Sequence, residues 1–418
     1  MTTDQERALR LAVEAGHILL ENGAEISRVE ETMRRISSHY GVEEQSFFVL
    51  SNGIIATGQQ YASAKFIPIK GMQLSRVAEV NQLSRDIANG KHGVSLDELA
   101  SRLKSIRSSK GKPWWEYMLG VAFGVATFCL LFGGSLLDGA ATFGCGLLLG
   151  LFMAFVIPHM SRLIGNLTGG LVGGLLCIAA YHFAPDVFHL PNMIIGTIIA
   201  LVPGVPFTNG IRDLANEDYI AGTTRLLDAF LAFLSIALGV MVALILYGTL
   251  AGGLTQLGMP TVDSVAAAWY IQLPAAFIGT LGFSALFGVP RKYYLSCGVT
   301  GMLGWGLFLL LVPLLSVAGA AFFAALLVAM VSHLLAWARC CPVTLFLICG
   351  IIPLVPGGGI FWTAYHLVAN HLQLAASTGF IALKVTIAIA SGIIIATAIG
   401  TRIYRKIRVG NFISDMSK

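Results

Sequence analysis

Beyond Trp114 the chain is a succession of apolar runs of membrane-crossing length, and nothing else in it constrains the fold as strongly. A helix needs about twenty predominantly apolar residues to cross the hydrocarbon core. Ten runs meet or approach that length: 115–133, 138–157, 167–184, 191–204, 224–248, 265–288, 293–313, 316–337, 343–356 and 377–401. In lipid the backbone N–H and C=O groups must be satisfied within the segment, so such runs have to be helical. The chain is 56% hydrophobic and 12% charged, against about 25% charged in soluble domains. Fifteen of its 27 Lys and Arg residues precede Trp114. The expected organisation is therefore a small cytoplasmic domain over 1–112 and a membrane part over 113–250 and 265–403.

Basic residues in membrane proteins stay on the cytoplasmic side. Arg102, Lys104, Arg107, Lys110 and Lys112 precede the first run, and Arg162, Arg212, Arg291 with Lys292, Arg339 and the group from Arg402 to Arg408 recur at every second crossing. The loops between carry Asp138, Asp186 and Asp263 without Lys or Arg. Both termini are expected in the cytoplasm. The start, MTTDQERALR, lacks the basic end and short apolar core of a secretory signal. The net charge of +5 is accounted for by loop residues, so nucleic acid is not an expected partner.

The runs are not independent. IIALVPG at 198–204 returns as IIPLVPG at 351–357, six residues of seven, offset by 153 positions. The copies fall in the fourth and ninth runs, the two short ones, so each half has five. An odd number of crossings makes the second half enter from the opposite side, which is the inverted repeat of many secondary transporters. The expected fold class is mainly α: a polytopic α-helical membrane protein of about ten transmembrane helices in two inverted five-helix repeats, with a small N-terminal α+β domain. The stretch 251–264 is expected to join the halves.

Proline removes a helical hydrogen bond and clashes with the preceding turn. Pro203 and Gly204 in the first half, and Pro356, Gly357 and Gly358 in the second, are therefore expected to break their helices. Irregular backbone at membrane depth needs protein or a water-filled cavity around it. The alternative is a span that ends at its breaker and continues as a surface loop. After the first break, FTNGIRDLANEDY puts Asn209 and Asp213 on one helix face and Thr208 with Arg212 on another. Arg212 and Asp213 are the first candidates for substrate recognition or proton handling; solvated loop charges are the alternative reading. After the second break His366 stands where the offset places Asp213 in the first half. It is either a proton carrier or a polar cap. Asp228 and Lys384 lie inside the fifth and tenth runs, where ionisable groups mark function by default, although Lys384 has a stem long enough to reach the interface.

The seven cysteines lie in or beside apolar runs without a CxxC pair, so neither a metal, a cofactor nor a disulfide framework is expected. NLTGGLVGGLL in the third run sets glycines four apart, a close-packing pattern. In the first 112 residues, two helical stretches broken near Asn22-Gly23 precede a hairpin turning at Ser51-Asn52-Gly53, a third strand over 64–70 and helices over 73–88 and 95–108.

LENGAEISRVEETMRRI, LVPGVPFTNGIRDL and LICGIIPLVPGGGIFWTAYHL resemble the threonine/serine exporter family over nearly the whole chain. In that family the first motif belongs to a cytoplasmic domain and the others to successive five-span halves, which some bacteria encode as separate chains; this sequence resembles the fused form. The resemblance implies a bacterial inner-membrane exporter of threonine and serine driven by the proton motive force, with an amino acid, protons and lipid as partners and a homo-oligomer left open. It transfers no coupling residues. Split-chain relatives are associated with dicarboxylate export, succinate above all, which is the alternative. An intramembrane hydrolase would need HExxH, GxSxG or paired aspartates, and none is present.

Overall fold

The computed structural model describes residues 2–43, 45–58, 61–68, 71–89, 93–250 and 268–416. The joining stretch expected at 251–264 lies outside them. The N-terminal domain opens with α1 (Thr3–Glu21), started by a Thr2–Gln5 capping box, and α2 (Ile26–His39). Gly23 turns the chain between them at φ 83°, a conformation that costs glycine little. An antiparallel sheet follows, β1 (Gln45–Leu50), β2 (Gly53–Gly58) and β3 (Tyr61–Phe66), in the order β1-β2-β3. Phe47, Val49, Ile54 and Ala56 alternate inward from the sheet onto Leu9, Ile18, Met33 and Ile36 of the first two helices. α3 (Leu74–Ala88) and α4 (Leu96–Ser108), the latter capped by Ser95, close the core with Val77 and Leu99.

The third strand lies earlier than the expected 64–70. Tyr61–Phe66 carries little hydrophobic alternation, and its strand character comes from pairing with β2, Gly58 against Tyr61 through Gly53 against Phe66. Ile67, which drew the expectation onward, is fully buried beyond the strand and donates its N–H to Asn52 O at 2.8 Å.

Among the described residues eight long apolar helices form the membrane part: α5 (Trp114–Leu131), α6 (Leu136–Phe155), α7 (Arg162–Phe183), α10 (Tyr219–Leu250), α11 (Trp269–Leu286), α12 (Tyr294–Leu311), α13 (Val317–Arg339) and α16 (Leu372–Met416). The fourth and ninth runs are each two helices. α8 (Leu190–Ile198) and α9 (Gly204–Ala215) meet at a bend of 58°, and α14 (Thr344–Ile351) and α15 (Gly357–Val368) at 48°. Neither run ends at its breaker. The chain continues beyond each as a helix of a dozen residues, so the expectation of short spans is corrected: α9 goes on with a polar face and α15 with an aromatic one.

Equivalent elements of the halves pack equivalently. α7 lies against α10 as α13 lies against α16, and α5 crosses α11 between the halves. A Cβ on Gly120 of α5 would lie 2.7 Å from Gly282 O, and one on Gly282 of α11 would lie 2.6 Å from Gly120 O. In the α7–α10 crossing a Cβ on Gly239 would lie 2.0 Å from Leu167 O, and in the α13–α16 crossing one on Gly392 would lie 2.6 Å from Phe322 O. The obstacle is backbone in every case. Substituting Gly239→Ala or Gly392→Ala should cost roughly 1–3 kcal/mol through forced separation of the helices, read as a lower unfolding temperature of the purified chain. Gly144→Ala, where nothing lies within 4 Å, should leave it level or raise it; equal losses at all three positions would refute the close-packing account.

Candidate functional site

Each break is built on one proline. Pro203 has no N–H to continue the helix and sits at φ −76°, ψ 56°, with Gly204 N–H donating to Val202 O at 2.8 Å. Pro356 sits at φ −76°, ψ 55°, with Gly357 N–H donating to Val355 O at 2.7 Å. Both are inverse γ-turns, each preceded by a 3-10 turn, 199–201 and 352–354. The breaks also touch each other reciprocally. A Cβ on Gly204 would meet Ile352 Cδ1 at 2.5 Å, and one on Gly357 would meet Ile199 Cδ1 at 2.9 Å. Ile352 and Gly357 are the positions that the repeat makes equivalent to Ile199 and Gly204. The γ-turns satisfy some of the freed backbone, and Thr208 Oγ1 donates to Gly204 O at 2.7 Å as Thr363 Oγ1 does to Gly359 O.

α9 leaves the first break with a polar face, and that face is buried rather than solvated. Asn209, Arg212 and Asp213 are 2%, 4% and 0% exposed. Their partners come from the N-terminal domain. Asn209 Nδ2 donates to Gly23 O at 2.6 Å. Arg212 pairs with Glu25. Asp213 accepts from Ile26 N–H at 3.2 Å and from Arg225 of α10 at 2.6 Å, and Arg225 donates onward to Ala24 O at 2.9 Å. Arg28 also reaches Glu25 at 3.3 Å. Glu25 stands at the N-cap of α2 but does not cap it with its side chain. The membrane domain's Asp213 does so instead, a negative charge at the positive end of the helix.

Burial alone would push the Glu25 carboxyl up, but Arg212 and then Arg28 outweigh it and hold the carboxyl below the usual range. Glu30, on the same helix, behaves in the opposite way: burial first, and the charge of Asp218 second, push it up.

The other candidate residues lie apart. His366, 6% exposed near the end of α15, leaves Nδ1 without a hydrogen-bond partner and faces Trp362 and His371, with ring centroids 5.9 and 6.2 Å away. Beside it Leu190, Ile194, Leu244, Phe361, Trp362 and Tyr365 line a small apolar crevice between α8, α10 and α15. Asp228 faces outward from α10 in an exposed pair with Arg162 at 3.3 Å. Lys384 faces outward from α16, its Nζ 4.9 Å from the Phe380 ring centroid. The structure thus brings together Pro203, Gly204, Pro356 and Gly357 at the break, and Asn209, Arg212 and Asp213 at the domain junction. It adds Glu25, Arg28 and Arg225, which sequence reasoning missed; an acid at a cap position that leaves its own helix uncapped has no signature in the sequence.

A family model described as "Putative threonine/serine exporter" matches residues 10–247, and a second, described as "Threonine/Serine exporter, ThrE", matches residues 272–399. Among similar proteins, the threonine/serine exporter of Corynebacterium glutamicum is 25% identical, over 96% of this chain and 83% of its own. The probable succinate transporter subunit YjjP of Escherichia coli is 26% identical, over 59% of this chain and 98% of its own. Pheromone-regulated membrane protein 10 of Pichia sorbitophila is 24% identical, over 58% of this chain and 26% of its own. No solved structure matches.

Two outcomes follow from the junction. Removing one partner of a buried ion pair costs roughly 3–5 kcal/mol, so Asp213→Asn should loosen the N-terminal domain. Cysteines placed at Ser27 and Asn216, whose side chains are 3.2 Å apart, should cross-link efficiently in the parent and poorly in that variant. Arg162→Gln, at an exposed pair, should leave cross-linking unchanged. For pH, the lowered Glu25 carboxyl contributes in full above the ordinary carboxylate range, and its contribution is lost only as pH falls through the depressed value. Asp213 and Glu30 shift the opposite way, burial pushing Asp213 up to about 6, so the Glu25 loss is expected only in stronger acid, read as the unfolding temperature of the purified chain across pH.

Proposed function

The chain belongs to the threonine/serine exporter family, and from that premise we propose that it is a secondary active exporter of small hydroxyl amino acids, threonine and serine, out of the cytoplasm. One observation carries the mechanistic part: two proline-centred breaks with matching dihedral angles sit in equivalent helices and touch through equivalent residues. Discontinuous helices that meet at membrane depth expose helix ends to a ligand, and the repeats that carry them can rock about it to give alternating access.

The direction of the broken helices supports the inverted arrangement. α9 ends against the N-terminal domain through Arg212, Asp213 and Asn216. α15 ends on the other side, where Tyr365 joins Leu190 and Pro191 at the start of α8. Together with the alternating basic loops, this fits cytoplasmic termini, the bacterial inner membrane and repeats of opposite orientation. Coupling to protons fits the family and has His366 as its candidate carrier, since imidazole is the side chain that ordinarily exchanges protons near neutral pH. The second reading, export of dicarboxylates such as succinate, is favoured by the Escherichia coli relative.

Efflux of radiolabelled threonine, serine and succinate from loaded cells, with and without a protonophore, tests substrate and coupling together. Loss of threonine and serine that the protonophore abolishes is expected, and retention of all three solutes refutes the exporter reading. For orientation, Glu217 and Asn370 are exposed, equivalent under the repeat, and both left-handed at φ 70° and 58°. Cysteines introduced there should react with an impermeant reagent from opposite sides of the membrane. Labelling from one side only would rule out the inverted repeat.

A further inference from the structure

The junction between the N-terminal domain and α9 holds polar atoms that its own network leaves unused. Asp213 and Arg225 are satisfied, as described above. Arg212 and Glu25 are paired as ions but not fully hydrogen-bonded. Arg212 Nη1 and Glu25 Oε2 are in charge contact without hydrogen-bond alignment, and Arg212 Nε has no hydrogen-bond partner. Asn209 has spent its amide N–H on Gly23, leaving Oδ1 without a partner. His333 Nε2, on α13, is a further buried atom without one, within electrostatic reach of Arg212 and Glu25. An unsatisfied buried polar atom costs about 1–3 kcal/mol, so a protein that keeps several together gains when a ligand satisfies them.

The chemistry of the unused atoms is specific. A guanidinium donates to a carboxylate. A carboxylate and an amide oxygen side by side accept from an ammonium. Those are the two ends of an α-amino acid zwitterion.

We infer that Glu25 of the N-terminal domain and Arg212 with Asn209 of α9 form one binding station for the zwitterionic head of an α-amino acid, and that Glu25 excludes dicarboxylates from it. The inference rests on the exporter reading and deepens it. In the structure Glu25 holds the place of the ligand carboxylate on Arg212. An arriving amino acid exchanges its carboxylate for that of Glu25, and the released Glu25 turns to the ammonium together with Asn209 Oδ1. One carboxylate replaces another on the guanidinium, so no buried charge is left alone during the exchange. A dicarboxylate can make the first exchange but brings its second anion to Glu25, where like charges repel; the exclusion is a repulsive element built into the site.

The test is equilibrium binding of radiolabelled threonine to the purified full chain, competed by threoninol, which lacks the carboxylate, by 2,3-dihydroxybutanoate, which lacks the ammonium, and by succinate. In the parent chain each missing head group should weaken binding by about tenfold or more, because it leaves buried groups unpaired. Glu25→Gln should weaken threonine by about tenfold, leave 2,3-dihydroxybutanoate within about twofold and tighten succinate, since the repulsive charge is gone. Arg212→Gln should weaken threonine and 2,3-dihydroxybutanoate alike. The competition series on the parent needs no variant, so loss of folding in a variant cannot hide the answer. The inference is overturned if parent binding is indifferent to either head group, or if folded Glu25→Gln and Arg212→Gln chains bind threonine within about twofold of the parent. In that case the pair is only an interdomain clamp, and export by the parent would still stand. Absence of threonine and serine export by the parent instead removes the functional reading itself.

Discussion

Two prolines inside apolar helical runs leave backbone groups that lipid cannot satisfy, and the rest of the membrane domain is arranged around that constraint. The γ-turns at Pro203 and Pro356 recover one hydrogen bond each, and the 3-10 turns before them another, Val202 N–H to Ile199 O and Val355 N–H to Ile352 O. The remaining protection is mutual: each break is covered by the 3-10 turn of the other, through Gly204 with Ile352 and Gly357 with Ile199. Glycine at 204 and 357 is what permits that approach. The long helices then frame the crossed pair, held close by glycines whose missing side chains make room for a neighbouring backbone.

The N-terminal domain is attached by the same logic of unsatisfied helix ends. The first amides of α3 donate to the two carbonyls that follow α11, Leu74 to Phe287 at 3.1 Å and Ser75 to Gly288 at 2.8 Å. The first amide of α2 donates to Asp213. Two helix starts in the domain thus find their partners in the membrane part, and the charges that accompany them sit at the end of a broken helix. Whatever moves α9 must also act on α2.

The halves share a backbone and differ in side chains. Thr208, Asn209, Arg212 and Asp213 in the first correspond to Phe361, Trp362, Tyr365 and His366 in the second. One broken helix therefore ends in a charged junction with the N-terminal domain, and the other in an aromatic cluster with two histidines. A symmetric frame with chemically unlike ends suits a protein that treats the two sides of a membrane differently.

The sequence alone determined the apolar runs and the positions of both breaks, because these follow from helix length in lipid and from proline's missing N–H, which are local properties. The glycine pattern in α7 likewise announced close packing, and Gly170 now lies against Ile236 O. Arg212 and Asp213 stood out by charge, yet their partners did not: Glu25 is nearly two hundred residues away in sequence, in a helix whose charged face reads as ordinary surface. Asp228 and Lys384 stood out as intramembrane charges, while the structure turns both outward. Only the tertiary structure decided which charges are buried together, because burial depends on what folds over a residue and not on the residues beside it in the chain.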